Sequence, residues 1–160
     1  MYANASRVCE LCAPAEAWKS YGCKAAADWK SGIGSNSCGP WLKEAYRLSE
    51  KEIDFSVYEK VVFLSKSVGT IEAGFLAEKL EIEPEQIYLT PVPDALPCIK
   101  ENDTVVIGTA DEVYPECKAY CDEHGIKPLY IVGANHSLEV EGKPYESLEI
   151  LKDVMKFIER

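Results

Sequence analysis

From residue 41 onward, short apolar runs alternate with stretches of helical spacing, and this alternation predicts the secondary structure. Continuous apolar runs predict four strands, over residues 61–64, 87–89, 104–107 and 129–132. Apolar positions three and four residues apart predict helices over residues 41–51, 68–80, 113–124 and about 145–159. Strands that are apolar throughout and separated by helices are typical of a mostly parallel sheet covered on both faces. The pattern therefore predicts the α/β fold class.

The segment that links the second and third predicted strands contains Pro91, Pro93 and Pro97. Proline lacks a backbone N–H and fixes φ, so this link is expected to have no regular structure. The last predicted helix has an apolar stripe, which is typical of an amphipathic helix. The members of the stripe are Leu148, Leu151, Val154, Met155 and Ile158.

Residues 1–40 differ in composition from the rest of the chain. They contain three branched aliphatic residues, eight alanines and four of the seven cysteines, whereas residues 41–160 contain 32 Val, Leu and Ile residues. So few large apolar side chains cannot bury the surface needed to offset the entropy of ordering the segment. We therefore expect residues 1–40 to be poorly ordered or atypical, and residues 41–160 to form the folded domain.

Composition and charge limit the classes of function. The 160-residue chain has 17 basic and 27 acidic residues, and its net charge of −10 disfavours binding to a nucleic-acid backbone. No apolar run has the length of a membrane helix and no secretory signal is recognisable, so we expect a cytoplasmic protein. In a reducing compartment the odd number of cysteines favours free thiols over a disulfide framework.

Chemically active side chains follow three of the predicted strands at the point where each strand ends. Ser67 follows the first strand, Asp111 the third and His136 the fourth. In a parallel sheet these ends lie at the same edge, where ligands bind. A serine hydroxyl becomes a nucleophile when a histidine takes its proton, and a carboxylate orients that histidine and stabilises its charged form. The backbone N–H of Val68, at the start of a helix, is placed to stabilise an oxyanion.

These residues resemble the α/β-hydrolase superfamily. Residues 65–69, Ser-Lys-Ser-Val-Gly, are similar to its nucleophile elbow, a sharp strand-to-helix turn with small residues two positions on either side of the serine. The chain order Ser67, Asp111, His136 is the order found in that superfamily. The resemblance covers roughly residues 54–160 and extends to small bacterial members of mostly unassigned substrate. It implies a nucleophile, an orienting acid, a general base and an oxyanion donor at Ser67, Asp111, His136 and Val68, with no cofactor and no metal.

The chain departs from this superfamily upstream of the elbow. The superfamily has further strands there, one of them followed by a loop that donates the second oxyanion N–H. Here the glycine-containing residues 32–36 are the one candidate for that donor, and no apolar strand leads into them. We therefore consider residues 1–40 a truncated or altered replacement for the missing strands, for instance through a reading-frame change. Such a change would leave an open sheet edge beside the first strand, through which copies of the chain could associate as a homo-oligomer.

Simpler roles are open for several of these residues. Ser67 and Asp111 could each cap the helix that follows. Asp94, after the second strand, is a rival for the acid. His124, which precedes a glycine at a helix end, suits a histidine that only stabilises that end through the helix dipole.

The sequence thus predicts a serine hydrolase that acts on a small ester or thioester-like molecule through a Ser-His-Asp triad. The alternative is a catalytically impaired remnant of the same fold, with a binding role or no enzymatic role. A third interpretation is a metal- or redox-linked module, which the spacing of the N-terminal thiols disfavours because they form one CxxC pair with no histidine nearby. Those thiols belong to Cys9, Cys12, Cys23 and Cys38.

Overall fold

The structure is a computed structural model that describes residues 44, 45, 47–49, 51 and 53–159. The compact unit that carries the predicted site is Ser49–Arg160. The described residues among 44–51 are helical, as predicted. The expected poor order of residues 1–40 and the proposed domain boundary at residue 40 both lie outside the described residues.

Four parallel strands form one sheet in the order β1-β2-β3-β4. The strands are β1 (Val62–Lys66), β2 (Glu85–Leu89), β3 (Thr104–Gly108) and β4 (Leu129–Ile131). The α-helices that follow β1, β3 and β4 are α1 (Gly69–Lys79), α2 (Tyr114–His124) and α3 (Pro144–Ile158). Two short 3-10 helices, Phe55–Val57 and Pro93–Cys98, precede β1 and β3. The α/β class is confirmed, and the predicted ends of these elements agree with the structure within one or two residues.

The connections between successive strands lie on one face of the sheet. Crossovers between parallel strands are right-handed, so a sheet whose strands follow chain order carries all of its connections on the same side. Along each strand every second side chain points to that side. This face supplies Tyr88, Val105 and Ile107 to the core. Leu96 of the 3-10 helix Pro93–Cys98 and Ile99 just after it pack on them, as do Cys117 and Cys121 of α2.

The opposite face of the sheet is unevenly covered. Ile87 and Val106, in the two middle strands, are 3% and 0% exposed, whereas Val62 and Leu64 in β1 are 46% and 52% exposed. The expectation that the first strand is buried on both faces was therefore wrong. That face of β1 is only half covered at these two side chains, and β1 is also the edge strand of the sheet that the described residues form, so only one side of it has a neighbouring strand.

One local expectation also needs correction. The proline-rich link is not irregular, because Pro93–Cys98 form a 3-10 helix with Pro93 in its first turn. At its two ends the N–H groups of Ala95 and Ile99 donate to the Val92 and Leu96 carbonyls, whereas Pro97 has no N–H to donate. In α3 the apolar stripe is mostly exposed: Val154 is buried, but Leu148, Leu151 and Met155 are not.

Glu72 gives the first testable prediction. Its carboxyl lies buried in α1, accepts a hydrogen bond of 3.4 Å from Ser49 Oγ, and has its pKa raised by burial. Folding therefore favours the protonated form, so the cost of burying Glu72 is absent in acid and grows as pH rises through the pKa of the unfolded chain. We expect Glu72→Gln, which keeps the shape and the acceptor, to raise Tm by a few degrees at neutral pH.

Thermal unfolding from pH 4 to pH 8 checks this prediction. The gain from Glu72→Gln should shrink toward the acid end of the series. Glu78→Gln, an exposed carboxyl on the same helix, is the matched control and should leave Tm unchanged throughout. Equal effects of the two substitutions would contradict the assignment.

Candidate active site

The turn between β1 and α1 holds Ser67 in a strained backbone conformation. Its φ is 54°, in the left-handed region that costs a non-glycine residue about 1–3 kcal/mol. Three hydrogen bonds hold the turn. Ser67 N–H donates to the Leu89 carbonyl at 3.0 Å, and Thr70 donates to the Ser67 carbonyl from both its N–H and its buried hydroxyl. The strain lifts the side chain of Ser67 off the end of β1.

His136 joins the hydroxyl and the carboxylate that were expected at this edge of the sheet. Its Nε2 lies 2.8 Å from Ser67 Oγ, and its Nδ1 lies 2.7 Å from Asp111 Oδ2. An ionised carboxylate can only accept, so Nδ1 carries the proton and Nε2 is left to accept the proton of the serine hydroxyl. The arrangement can therefore move a proton from Ser67 to the imidazole, with the resulting positive charge facing Asp111.

The exposed fractions of the Asp111 and His136 side chains differ in a way that matters for chemistry. The side chain of Asp111 is 2% exposed, whereas that of His136 is 42% exposed. The second oxygen of the carboxylate is also satisfied, because Val113 N–H donates to Oδ1 at 3.1 Å. A buried carboxylate interacts with its partner through a medium less polar than water, which strengthens the attraction. Asp111 is thus a fixed acceptor, and the imidazole is partly open to solvent.

Hydrogen bonds join the loop that carries Asp111 to the loop that carries His136. Thr109 Oγ1 accepts from Gly133 N–H at 2.8 Å, and Ala110 N–H donates to the Ala134 carbonyl at 2.9 Å. Gly108 allows the close approach, because a Cβ there would lie 2.0 Å from the Ala134 carbonyl oxygen. The acid and the histidine are therefore held at a set separation by backbone contacts as well as by their own hydrogen bond.

Sequence reasoning missed the residues that join the Asp111 loop to the His136 loop. Thr109 lies two positions before Asp111 and Gly108 directly ends a strand, while Asn135 precedes His136 and bonds within its own loop. That adjacency is the signal that could have singled them out. The partner of Thr109 is Gly133, which lies 24 residues further along the chain, so no local pattern identifies this contact.

The predicted oxyanion donor lies directly after the strained serine. Val68 precedes the first residue of α1, and its N–H makes no hydrogen bond to another described residue. That N–H is therefore available beside Ser67 Oγ. Residues 32–36, the candidates for the second donor, lie outside the described residues, as do the four N-terminal cysteines.

The rival residues are placed elsewhere. Asp94 lies in the first turn of the 3-10 helix, half-buried, with its pKa raised by desolvation, and it is not bonded to His136. His124 bonds through Nδ1 to the Tyr120 carbonyl at 2.8 Å and stacks on the Tyr120 ring, with ring centroids 4.0 Å apart. Both contacts of His124 are thus made with a residue of its own helix.

A groove of about 410 Å³ lies at the other end of the sheet. Its lining comes from the segments just before β1 and β2, with Tyr58, Val61 and Ile82 among them. These segments precede the strands, whereas Ser67, Asp111 and His136 follow them. The groove therefore does not serve the site described above.

Two further properties concern the described part of the chain. Its His, Cys, Asp and Glu side chains nowhere gather in a group of three or more that could hold a metal ion. Each of its helices is too short or too polar to cross a membrane.

Comparison with known proteins gives one short similarity. A stretch of 33 residues is 64% identical to a β-galactosidase of Staphylococcus xylosus. The stretch covers 21% of this chain and 3% of that enzyme, so the chain spans only a small part of the curated relative that it matches. No family model matches the chain, and no solved structure matches it significantly.

The contact between Gly108 and Ala134 gives the second prediction. Gly108→Ala places a Cβ against backbone atoms, 2.0 Å from the Ala134 oxygen and 2.6 Å from its carbonyl carbon, so the two loops must separate. We expect a loss of stability of about 1–3 kcal/mol or more in urea unfolding. Gly69→Ala is the control, because nothing lies within 4 Å of its added Cβ. Equal stability of the Gly108→Ala variant and the wild type would show that the loops are not in contact.

Proposed function

We propose that the protein is a serine hydrolase of the α/β-hydrolase type that acts on a small ester or thioester. The observation that carries the proposal is the pair of hydrogen bonds from one imidazole, 2.8 Å to Ser67 Oγ and 2.7 Å to Asp111 Oδ2. The strained serine turn and the order of the three residues after β1, β3 and β4 support it. A serine that only caps a helix needs neither the imidazole nor a left-handed backbone.

The first half of the reaction forms an acyl-enzyme. Ser67 Oγ attacks the carbonyl carbon of the substrate while His136 Nε2 takes the hydroxyl proton. The carbonyl oxygen becomes an oxyanion, toward which the Val68 N–H donates at the start of α1. Asp111 stabilises the imidazolium. The bond to the alcohol or thiol then breaks, and the leaving group takes the proton from Nε2.

The second half regenerates the serine. A water molecule gives a proton to His136 Nε2 as its oxygen attacks the acyl carbon. The second tetrahedral intermediate collapses, Ser67 Oγ leaves the acyl carbon, and the imidazolium returns the proton to it. The products are a carboxylic acid and the alcohol or thiol released earlier, so no oxidant, reductant or cofactor enters the cycle. The exposed face of His136 gives water the access that this half requires.

The alternative is a remnant of the same fold that binds without catalysis. The observation that favours it is in the sequence, where no apolar strand leads into residues 32–36, the one candidate for the second oxyanion donor. Loss of one donor costs about a hundredfold to a thousandfold in rate. A remnant would keep the folded sheet and the hydrogen bonds of His136 but would not react at Ser67.

Labelling with a fluorophosphonate probe tests the proposal, because the phosphorus is attacked only by an activated serine. The wild type should be labelled, and Ser67→Ala should not be. Asp111→Asn should slow labelling by roughly a thousandfold or more, since an amide in place of the carboxylate favours the wrong imidazole tautomer. The rate should also fall in acid, because a protonated imidazole cannot accept the serine proton.

Asp94→Asn is the matched control for the acid. It makes the same chemical change at the rival carboxylate and should leave the labelling rate within about twofold of the wild type, as expected for a residue outside a reacting group. Labelling that persists in Ser67→Ala would overturn the proposal. A folded wild type that is never labelled would favour the remnant.

A further inference from the structure

A closed turn after β4 carries His136. Asn135 N–H donates to the Glu139 carbonyl at 2.9 Å, and Glu139 N–H donates back to the side-chain oxygen of Asn135, Oδ1, at 3.2 Å. The same Oδ1 accepts from Ser137 N–H at 2.9 Å, and the Asn135 carbonyl accepts from Leu138 N–H at 2.9 Å. One amide side chain thus closes the turn around the residue that follows it.

The turn closed by Asn135 includes a strained residue. Leu138 has a φ of 64°, in the left-handed region that a leucine adopts only when its surroundings impose it. The two N–H groups held by Asn135 Oδ1 lie on either side of Leu138 in the chain. Without that oxygen both N–H groups lose their acceptor, and the backbone next to His136 can relax toward an unstrained path.

His136 depends on this turn because its imidazole must satisfy two partners at once. The contacts of 2.7 Å and 2.8 Å lie on opposite sides of one rigid ring, so a shift of the backbone cannot be corrected at both by rotating the side chain. A misplacement of about 1 Å can cost a hundredfold in rate. The other support of the residue is weaker, since it is a hydrogen bond of 3.2 Å from the exposed Lys66 ammonium to the His136 carbonyl.

We propose that Asn135 is a positioning residue for His136, holding the imidazole where it meets Ser67 and Asp111 together. The inference rests on the proposed function where it is tested by the labelling rate of Ser67, but not where it is tested by the NMR signal of the His136 imidazole. The side chain of Glu139 has no part in it, because that carboxylate is exposed and only the backbone of Glu139 enters the turn.

Two readouts test the proposal in the full chain. The first is the rate of fluorophosphonate labelling at Ser67, which Asn135→Ala should lower about 10- to 100-fold. The second is the proton NMR resonance of the His136 Nδ1–H, which a close hydrogen bond to a carboxylate moves far downfield. That resonance should be present in the wild type and lost or broadened in Asn135→Ala.

Asn135→Asp separates positioning from general stability. A carboxylate oxygen accepts from the same two N–H groups, so this variant should recover most of the labelling rate and the resonance. Asn102→Ala is the matched control, since it makes the same substitution at an exposed position on the turn before β3 and should change neither readout. If Asn135→Ala does not fold, Asn135→Asp decides the question, because a folded Asp variant as slow as His136→Ala would overturn the proposal.

The two readouts also separate this inference from the proposed function. If the wild type is not labelled at Ser67, the proposed function fails, and the downfield resonance alone decides the role of Asn135. If Asn135→Ala keeps both the wild-type labelling rate and the wild-type resonance, Asn135 does not position His136, and the hydrolase proposal stands unaltered.

Discussion

The imidazole of His136 is the constraint on which the organisation of this site depends. It bonds at once to a hydroxyl 69 residues earlier in the chain and to a carboxylate 25 residues earlier. A ring of fixed dimensions can meet both partners only if three separate loops end at matched heights above the sheet. The parallel register provides those heights: Lys66 pairs with Leu89, and Gly108 with Ile131, so the strand ends align along one edge. The backbone contacts of Gly108 and Thr109 with the histidine loop then set the lateral spacing.

Two of the four non-glycine residues with positive φ in the described part of the chain lie in the loops of the site. Ser67 and Leu138 both have positive φ, and each lies in a turn closed by several hydrogen bonds. A left-handed conformation at a side chain of this kind is unfavourable by itself and persists only where the surrounding structure determines it. Ser67 is itself the residue with the reactive hydroxyl, whereas Leu138 lies two positions after His136, in the turn that Asn135 closes. The geometry of the site therefore depends on hydrogen-bonded loops, each of which follows a strand of the sheet.

The layering of the fold explains why one side of the molecule is better covered than the other. Strands that follow chain order place their right-handed crossovers on one face, and the core of Tyr88, Val105 and Ile107 lies there. The opposite face has buried residues in its middle strands but exposed ones in β1, and α3 leaves most of its apolar stripe open. Ser67 thus follows directly from the edge strand of the described sheet.

The sequence by itself determined the α/β class, the approximate ends of the strands and helices, and the placement of Ser67, Asp111 and His136 after three strand ends. These depend on local patterns, namely apolar runs, helical spacing and glycine at chain reversals, as at Gly125, where φ is 70°. Only the tertiary structure decided which strand is at the edge, that the proline-rich link is helical, that Thr109 joins the two loops and that Asn135 closes the turn around His136. Exposure of a strand depends on its neighbours in space, and a hydrogen bond between loops depends on register. Neither property is encoded in the residues of one segment alone.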